Sequence, residues 1–143
     1  MRIYLDTCCY NRPFDDKSLM NIKLESLSKL LIQEKIRQEE YDLVWSYILD
    51  FENYCNPYVE IKNYIQKWEK IAVYFCDYSD EITKKAKELE KIGIKQKDAI
   101  HIACAISSKC SYFITTDYKL IKKNIDEIKV INPIDFVRLE ELS

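Results

Sequence analysis

What this sequence lacks narrows it before any motif is read. It has one glycine among 143 residues, while Lys, Glu, Leu and Ile fill the stretches between short apolar runs, a pattern of helices with few tight turns. It has one histidine, and its cysteines include no Cys-x-x-Cys pair, so the ligand spacing of a zinc site is absent. No run approaches the roughly 18 apolar residues that a membrane span needs. The chain opens directly on a strand pattern with no apolar signal-peptide core, and a cytoplasmic protein with no membrane partner is expected. A basic excess is missing as well. The 22 Lys and Arg against 24 Asp and Glu leave a formal charge of −2, which exerts no overall pull on a polyanion. Nucleic-acid binding would have to come from a bound metal and a local basic rim.

What is present describes a folded protein. With 32% charged and 48% hydrophobic residues the composition is globular, and a length of 143 residues suits a single domain, 1–143, with a core that needs no disulfides. Cys8, Cys9, Cys55, Cys76, Cys104 and Cys110 are expected as small buried hydrophobes. Cys8 and Cys9 are reactive only if exposed.

In chain order, the stretch Arg2, Ile3, Tyr4, Leu5, Asp6, Thr7 reads as a strand running into a carboxylate, followed by a turn-like segment with Asn11, Arg12 and Pro13. Asp15 or Asp16 can cap a scaffold helix with Leu19, Ile22, Leu27, Leu30, Leu31 and Ile36 on its apolar side. Residues 41–46 form a second strand, 46–52 lead into a short helix that stops before Pro57, and 58–70 form a further helix. A third strand covers 71–76. Ser79 caps a helix through Ile92, with Gly93 as its stop. The segment 98–106 is apolar almost all round, as in a buried helix. A strand at 112–115, a short basic helix at 119–124, a strand at 129–131 and a helix opened by Asn132 and Pro133 complete the chain. Strands alternating with helices indicate α/β architecture with a parallel sheet covered on both faces.

Ligands bind outside the carboxyl ends of parallel strands. Asp6 ends the first strand, Glu52 follows the second, Asp117 follows the strand at 112–115, and Asp98 opens the buried helix. Right-handed connections bring these positions to one sheet edge. Carboxylates gathered there repel and take up protons unless a cation neutralises them. Oxygen ligands without a thiolate or imidazole cluster point to Mg²⁺ or Mn²⁺, and such a site commonly serves phosphoryl chemistry.

The motifs Tyr4-Leu5-Asp6-Thr7, Ser46 with Glu52, Asp98-Ala99-Ile100-His101-Ile102-Ala103, Thr115-Thr116-Asp117 and Asn132-Pro133 together resemble the PIN domain, the nuclease fold of VapC-like toxins. The resemblance spans nearly the whole chain, and the start from Cys8 to Asp16 resembles one prokaryotic subset of that family. It implies a three-layer α/β/α sandwich around a parallel sheet of about five strands, dependence on Mg²⁺ or Mn²⁺, and cleavage of RNA, single-stranded by expectation, to 5′-phosphate and 3′-hydroxyl ends. Carried over by residue, Asp6, Asp98 and Asp117 are the main metal ligands and Glu52 the fourth acid. Thr115 holds a carboxylate, a metal-bound water or a phosphate. Asp50 competes with Glu52 for the second position, and the spacing from Ser46 favours Glu52. A toxin would further imply a small antitoxin partner and a homodimer.

Other residues have two readings. His101 shares a helix face with Asp98 and either touches substrate or an acid, or is a core histidine. Arg12, Lys119, Lys122 and Lys123, with Lys95 and Lys97, hold phosphates or are solvated surface charge. Tyr10, Tyr47 and Tyr118 lie nearest the motifs and could stack on bases. A phosphatase of the haloacid-dehalogenase type would need an acid where Cys8 stands, and a receiver domain a different order of acids. A non-catalytic nucleic-acid- or protein-binding module of the same fold is the competing class.

Overall fold

Short apolar runs become strands here, and each strand is followed by helices that return the chain to the start of the next. The computed structural model describes residues 1–11 and 19–141; Arg12 and the expected caps Asp15 and Asp16 lie outside them. The strands are β1 (Arg2–Leu5), β2 (Asp42–Ser46), β3 (Tyr74–Cys76), β4 (Tyr112–Ile114) and β5 (Lys129–Ile131). They form one five-stranded sheet in the order β3-β2-β1-β4-β5, and every pairing is parallel. β1 is central, with Ile3, Tyr4 and Leu5 fully buried, as a strand covered on both faces must be.

The helices are α1 (Thr7–Asn11), α2 (Met20–Arg37), α3 (Tyr47–Tyr54), α4 (Val59–Ile71), α5 (Asp80–Glu90), α6 (Gln96–Ser107), α7 (Tyr118–Ile121) and α8 (Pro133–Glu141). The chain steps from β1 to β2 to β3 in one direction and then returns to β4 and β5. Right-handed crossovers therefore put the helices of the two legs on opposite faces. α8 folds back onto α2, while α5 packs on α6. The expected α/β/α architecture with a parallel five-stranded sheet is what the chain adopts.

Local chemistry explains several helix ends. The Ser46 and Ser79 hydroxyls accept from the amides of Leu49 and Ile82, and the Asn132 side chain accepts from Ile134 ahead of α8, each relieving an orphan donor of a first turn. Gly93, at φ +91°, takes the left-handed turn after α5; a β-carbon there would stand 2.8 Å from the Lys123 ammonium.

Four expectations need correction. The residues after Asp6 form a short helix, α1, rather than going straight into a turn. The third strand is only three residues long, because Ile71 still belongs to α4. The basic helix is α7, which begins at Tyr118 and ends at Ile121. The largest difference is α2. Its buried residues are Glu25, Ser26, Lys29, Ile32, Gln33 and Ile36, whereas Leu19, Leu27, Leu30 and Leu31, expected inside, are exposed. Specific partners turn the helix this way: Glu25 accepts from the Asn132 amide at 2.8 Å, and the Lys29 ammonium sits 4.1 Å from the centre of the Tyr10 ring, a desolvated cation–π contact. Lys29 is completely buried, and its amine has no hydrogen-bond partner among the described residues. Burial, opposed only in part by Cys9 and Cys8, lowers its pKa to about 7.

Candidate active site

The carboxyl edge of the sheet is extended by two residues whose amides continue the ladder: Asp6 donates to Ile114, and Thr115 to Ile131. This fixes their side chains side by side. Asp6 Oδ1 accepts from the Thr7 amide at 2.8 Å, and Oδ2 accepts from the Thr115 hydroxyl at 2.9 Å. Thr115 Oγ1 in turn accepts from the Asp117 amide at 3.2 Å. Thr115 therefore ties the first and last acids together through one oxygen. The Cys8 thiol also points at Asp6 Oδ2, 3.6 Å away, and hydrogen bonding with Cys9, working against burial, lowers its pKa.

Asp98 lies in the first turn of α6. Its carboxyl is raised above the ordinary aspartate range, first by burial and then by the charges of Asp6, Asp117 and Glu52, with only His101 opposing. The four acids are thus electrostatic neighbours. Asp117 is exposed, and its Oδ1 caps α7 by accepting from Lys119 and Leu120.

Glu52 behaves differently. Burial would raise its carboxyl, but hydrogen bonding and charge from His101, helped by Thr7 and Lys97, bring it below the usual range. His101 is buried and contacts Glu52 Oε1 through Nε2. Its Nδ1 lies 2.6 Å from the Tyr4 hydroxyl, which is 2.6 Å from Ser46 Oγ. The directions close when Nε2 carries a proton: Leu49 N–H to Ser46, Ser46 O–H to Tyr4, Tyr4 O–H to Nδ1, and Nε2–H to Glu52. Asp50 is drawn elsewhere, accepting from Trp45 Nε1 at 2.7 Å and Gln66 Nε2 at 2.9 Å.

Two cavities flank the acids. One, of about 410 Å³, gathers Lys95, Lys119, Lys122 and Lys123 around Asp98 and Asp117. The other, of about 460 Å³, is bounded by Thr7, Tyr10, Trp45, Glu52, Asn53 and Tyr58, among others. The structure brings together Asp6, Glu52, Asp98, Asp117 and Thr115, with Lys119 beside them. His101 lies beneath Glu52 and touches an acid. Tyr10 is buried edge-on to Trp45, Tyr47 packs against Tyr78, and Tyr118 is exposed. Of the cysteines, Cys55 is exposed and Cys8 partly so, against the expectation of burial, while the other four are buried.

Sequence reading gave Tyr4 no role of its own and left Cys8 conditional on exposure. Tyr4 carried a usable signal, because it stands two residues before Asp6 in a strand and so shares its face. Cys8 carried none beyond nearness to Asp6.

Among the described residues, no group of three or more His, Cys, Asp or Glu side chains is already arranged to hold a metal ion. The donor chemistry still suits a hard divalent cation, since carboxylate oxygens predominate and the mutual repulsion felt at Asp98 is what a cation offsets.

No protein-family model matches the sequence, and no curated protein matches it. Solved structures share the fold. The structure of VapBC2 from Rickettsia felis bound to a DNA fragment from their promoter aligns with a TM-score of 0.58 at 17% identity, covering 92% of this chain and 98% of that one. FitAcB from Neisseria gonorrhoeae aligns with a TM-score of 0.60 at 14% identity, covering 92% and 97%. At these identities the likeness establishes a common PIN-like fold. No helix among the described residues is long and apolar enough to cross a membrane.

Proposed function

We propose that the protein is a metal-dependent endoribonuclease that hydrolyses phosphodiester bonds of single-stranded RNA and acts as the toxin of a toxin–antitoxin pair. The observation that carries this reading is the convergence of Asp6, Glu52, Asp98 and Asp117 at one sheet edge, with the Asp98 carboxyl raised by burial and by the other three, beside a cleft of four lysines. Asp6, Asp98 and Asp117, with Glu52 as fourth acid, would hold Mg²⁺ or Mn²⁺. Bound there, such an ion lowers the pKa of a water and offsets charge at the phosphorus. Lys95, Lys119, Lys122 and Lys123 supply the attraction for phosphates that the net charge does not. Thr115 orients Asp6, and His101 orients Glu52. Hydrolysis adds water across the bond, leaving a 5′-phosphate and a 3′-hydroxyl. The common fold with VapBC2 and FitAcB supports an antitoxin partner; the homodimer is carried by the family resemblance of the sequence alone.

The test is cleavage of single-stranded RNA by the purified chain. Product should form only with Mg²⁺ or Mn²⁺, and Asp6→Asn and Asp98→Asn should each abolish it while circular dichroism stays unchanged. Cleavage without a divalent ion, or full activity in both variants, would sink the reading.

A second reading is a module that binds without cutting. Glu52 is already engaged by His101 and Asp117 by the start of α7, which favours it. In that case RNA is retained in a gel-shift experiment and no product appears even with Mn²⁺.

A further inference from the structure

α2 is built inside out. Four of its six buried residues are polar, namely Glu25, Ser26, Lys29 and Gln33. Its outer face instead carries Met20, Leu24, Leu27, Leu30 and Leu31, whose exposure runs from 39% at Leu31 to 67% at Met20. A single exposed leucine needs no explanation. A row of large apolar side chains along one helix does, because a soluble chain rarely leaves a continuous patch of that kind to water.

The spacing indicates what shape covers it. Met20, Leu24, Leu27 and Leu31 follow one another at steps of four, three and four residues, the alternation of a heptad seam. Such a seam packs on another helix, each side chain entering a gap between residues of the facing one. An extended segment has a period of two and calls for no such pattern.

The seam also matches itself. When two copies of α2 cross antiparallel about a two-fold axis midway between positions 25 and 26, Leu24 meets Leu27 of the second copy and Met20 meets its Leu31. The axis repeats both contacts, so each residue of the seam has an apolar partner. Lys23 falls beside Leu30 of the second copy, where its methylene stem can lie over the leucine with the ammonium in water. Charge selects this direction. Glu34, the next residue on the stripe, is exposed and lies beyond the last antiparallel layer. A parallel pair would set it against its own counterpart, and would align the two helix dipoles as well.

We propose that the outer face of α2 is the surface through which two copies of this chain associate, as an antiparallel helix pair that sets Leu24 on Leu27 and Met20 on Leu31. The proposal deepens the homodimer of the function reading by giving it a face and a register, and it does not depend on RNA cleavage. Residues 20–31 overlap over roughly 18 Å of helix. That is a small interface, so association should depend on concentration, with a dissociation constant on the order of micromolar.

Sedimentation velocity on the full-length protein, from well below to well above that concentration, should show monomer passing to dimer. Leu24→Glu and Leu27→Lys, made singly, should each weaken association by about a hundredfold or more, because each buries an unpaired charge twice in the pair. Both leucines face water in the monomer, so circular dichroism and the unfolding midpoint of the monomer should stay unchanged. Mixing the two variants should restore a dimer. In the antiparallel register the new carboxylate at position 24 meets the new ammonium at position 27, while the two remaining leucines meet across the axis. A parallel pair sets 24 on 24 and 27 on 27, and mixing would rescue nothing. A chain that stays monomeric throughout, as expected if a different protein covers the stripe, overturns the proposal and the homodimer together. A dimer that neither variant weakens overturns the proposal alone, since the homodimer then forms through another face. Weakening by both variants without rescue on mixing overturns the antiparallel register and with it the proposal.

Discussion

Glu52 and Asp98 line different cavities yet lie close enough for the charge of one to act on the other, and their surroundings treat charge in opposite ways. On the Glu52 wall a relay of Leu49, Ser46, Tyr4 and His101 ends in a donor against the carboxylate, and the acid is held below its ordinary pKa range despite burial. On the Asp98 wall burial is joined by the charges of Asp6, Asp117 and Glu52, and the acid is held above its range. One side of the site is electrostatically complete, whereas the other is left in deficit. Under the proposed chemistry the difference would divide the roles: a cation would gain most at Asp98 and its aspartate neighbours, while Glu52 would serve as a preset, oriented charge.

Removing one acid from each wall tests this most strongly. Under the proposed chemistry, Asp98→Asn should lower RNA cleavage by about a hundredfold or more, and Glu52→Gln by about tenfold, the usual range for a residue supporting a metal site. Initial rates with Mn²⁺ measure both, and a Glu52 variant more damaged than the Asp98 variant would reverse the assignment.

Ion binding comes next in size. A saturating Mn²⁺ concentration should stabilise the unmodified protein, by about 2.7 kcal/mol at a hundred times the dissociation constant. Differential scanning fluorimetry should show that shift mostly lost in Asp98→Asn and mostly kept in Glu52→Gln. Loss in both to the same degree would mean that the walls share the ion evenly. In the relay, His101→Ala leaves the Tyr4 hydroxyl and Glu52 without their shared partner and should cost about 2–3 kcal/mol in urea unfolding. An unchanged midpoint would remove the distinction between a complete and an incomplete wall.

The smallest effect is the pH dependence of stability, and its sign differs between the walls. The Asp98 pKa is higher folded than unfolded, so its ionised form costs stability at neutral pH, and that cost disappears as the pH falls through the folded pKa. Glu52 has the lower folded pKa; its contribution is present above the unfolded value and lost as the pH falls through the folded one. Asp98→Asn should therefore be more stable than the parent at pH 7, by about 1 kcal/mol or less, and Glu52→Gln less stable. The Asp98 difference should shrink as the pH falls toward the unfolded aspartate pKa of about 3.9, and the Glu52 difference only once the pH falls below the unfolded glutamate pKa of about 4.3. Urea titrations at about pH 7, 5 and 3 resolve them; a gap that widens on acidification for either variant contradicts the comparison.

The parts of this site that follow from topology were readable from residues alone. Once strands and helices alternate, the parallel sheet sends Asp6, Thr115 and Asp117 to one edge and lets the start of α6 deliver Asp98 there. The parts that depend on three-dimensional partners were not. Whether His101 met substrate, an acid or the core could not be settled without knowing that Tyr4 lies beneath it. α2 shows the same limit more sharply: its leucines satisfied the helical period, but Asn132 and Tyr10, remote in sequence, hold Glu25 and Lys29 inward.

The lone glycine closes α5 in the left-handed region and stands against the end of Lys123, a wall of the lysine cleft. Alanine there would strain the backbone by about 1 kcal/mol and push the ammonium aside, a movement that is sterically cheap but displaces a positive charge from the cleft. The position lies outside the acids altogether. A substitution there would register twice, in the ending of a helix and in the hold on a polyanion.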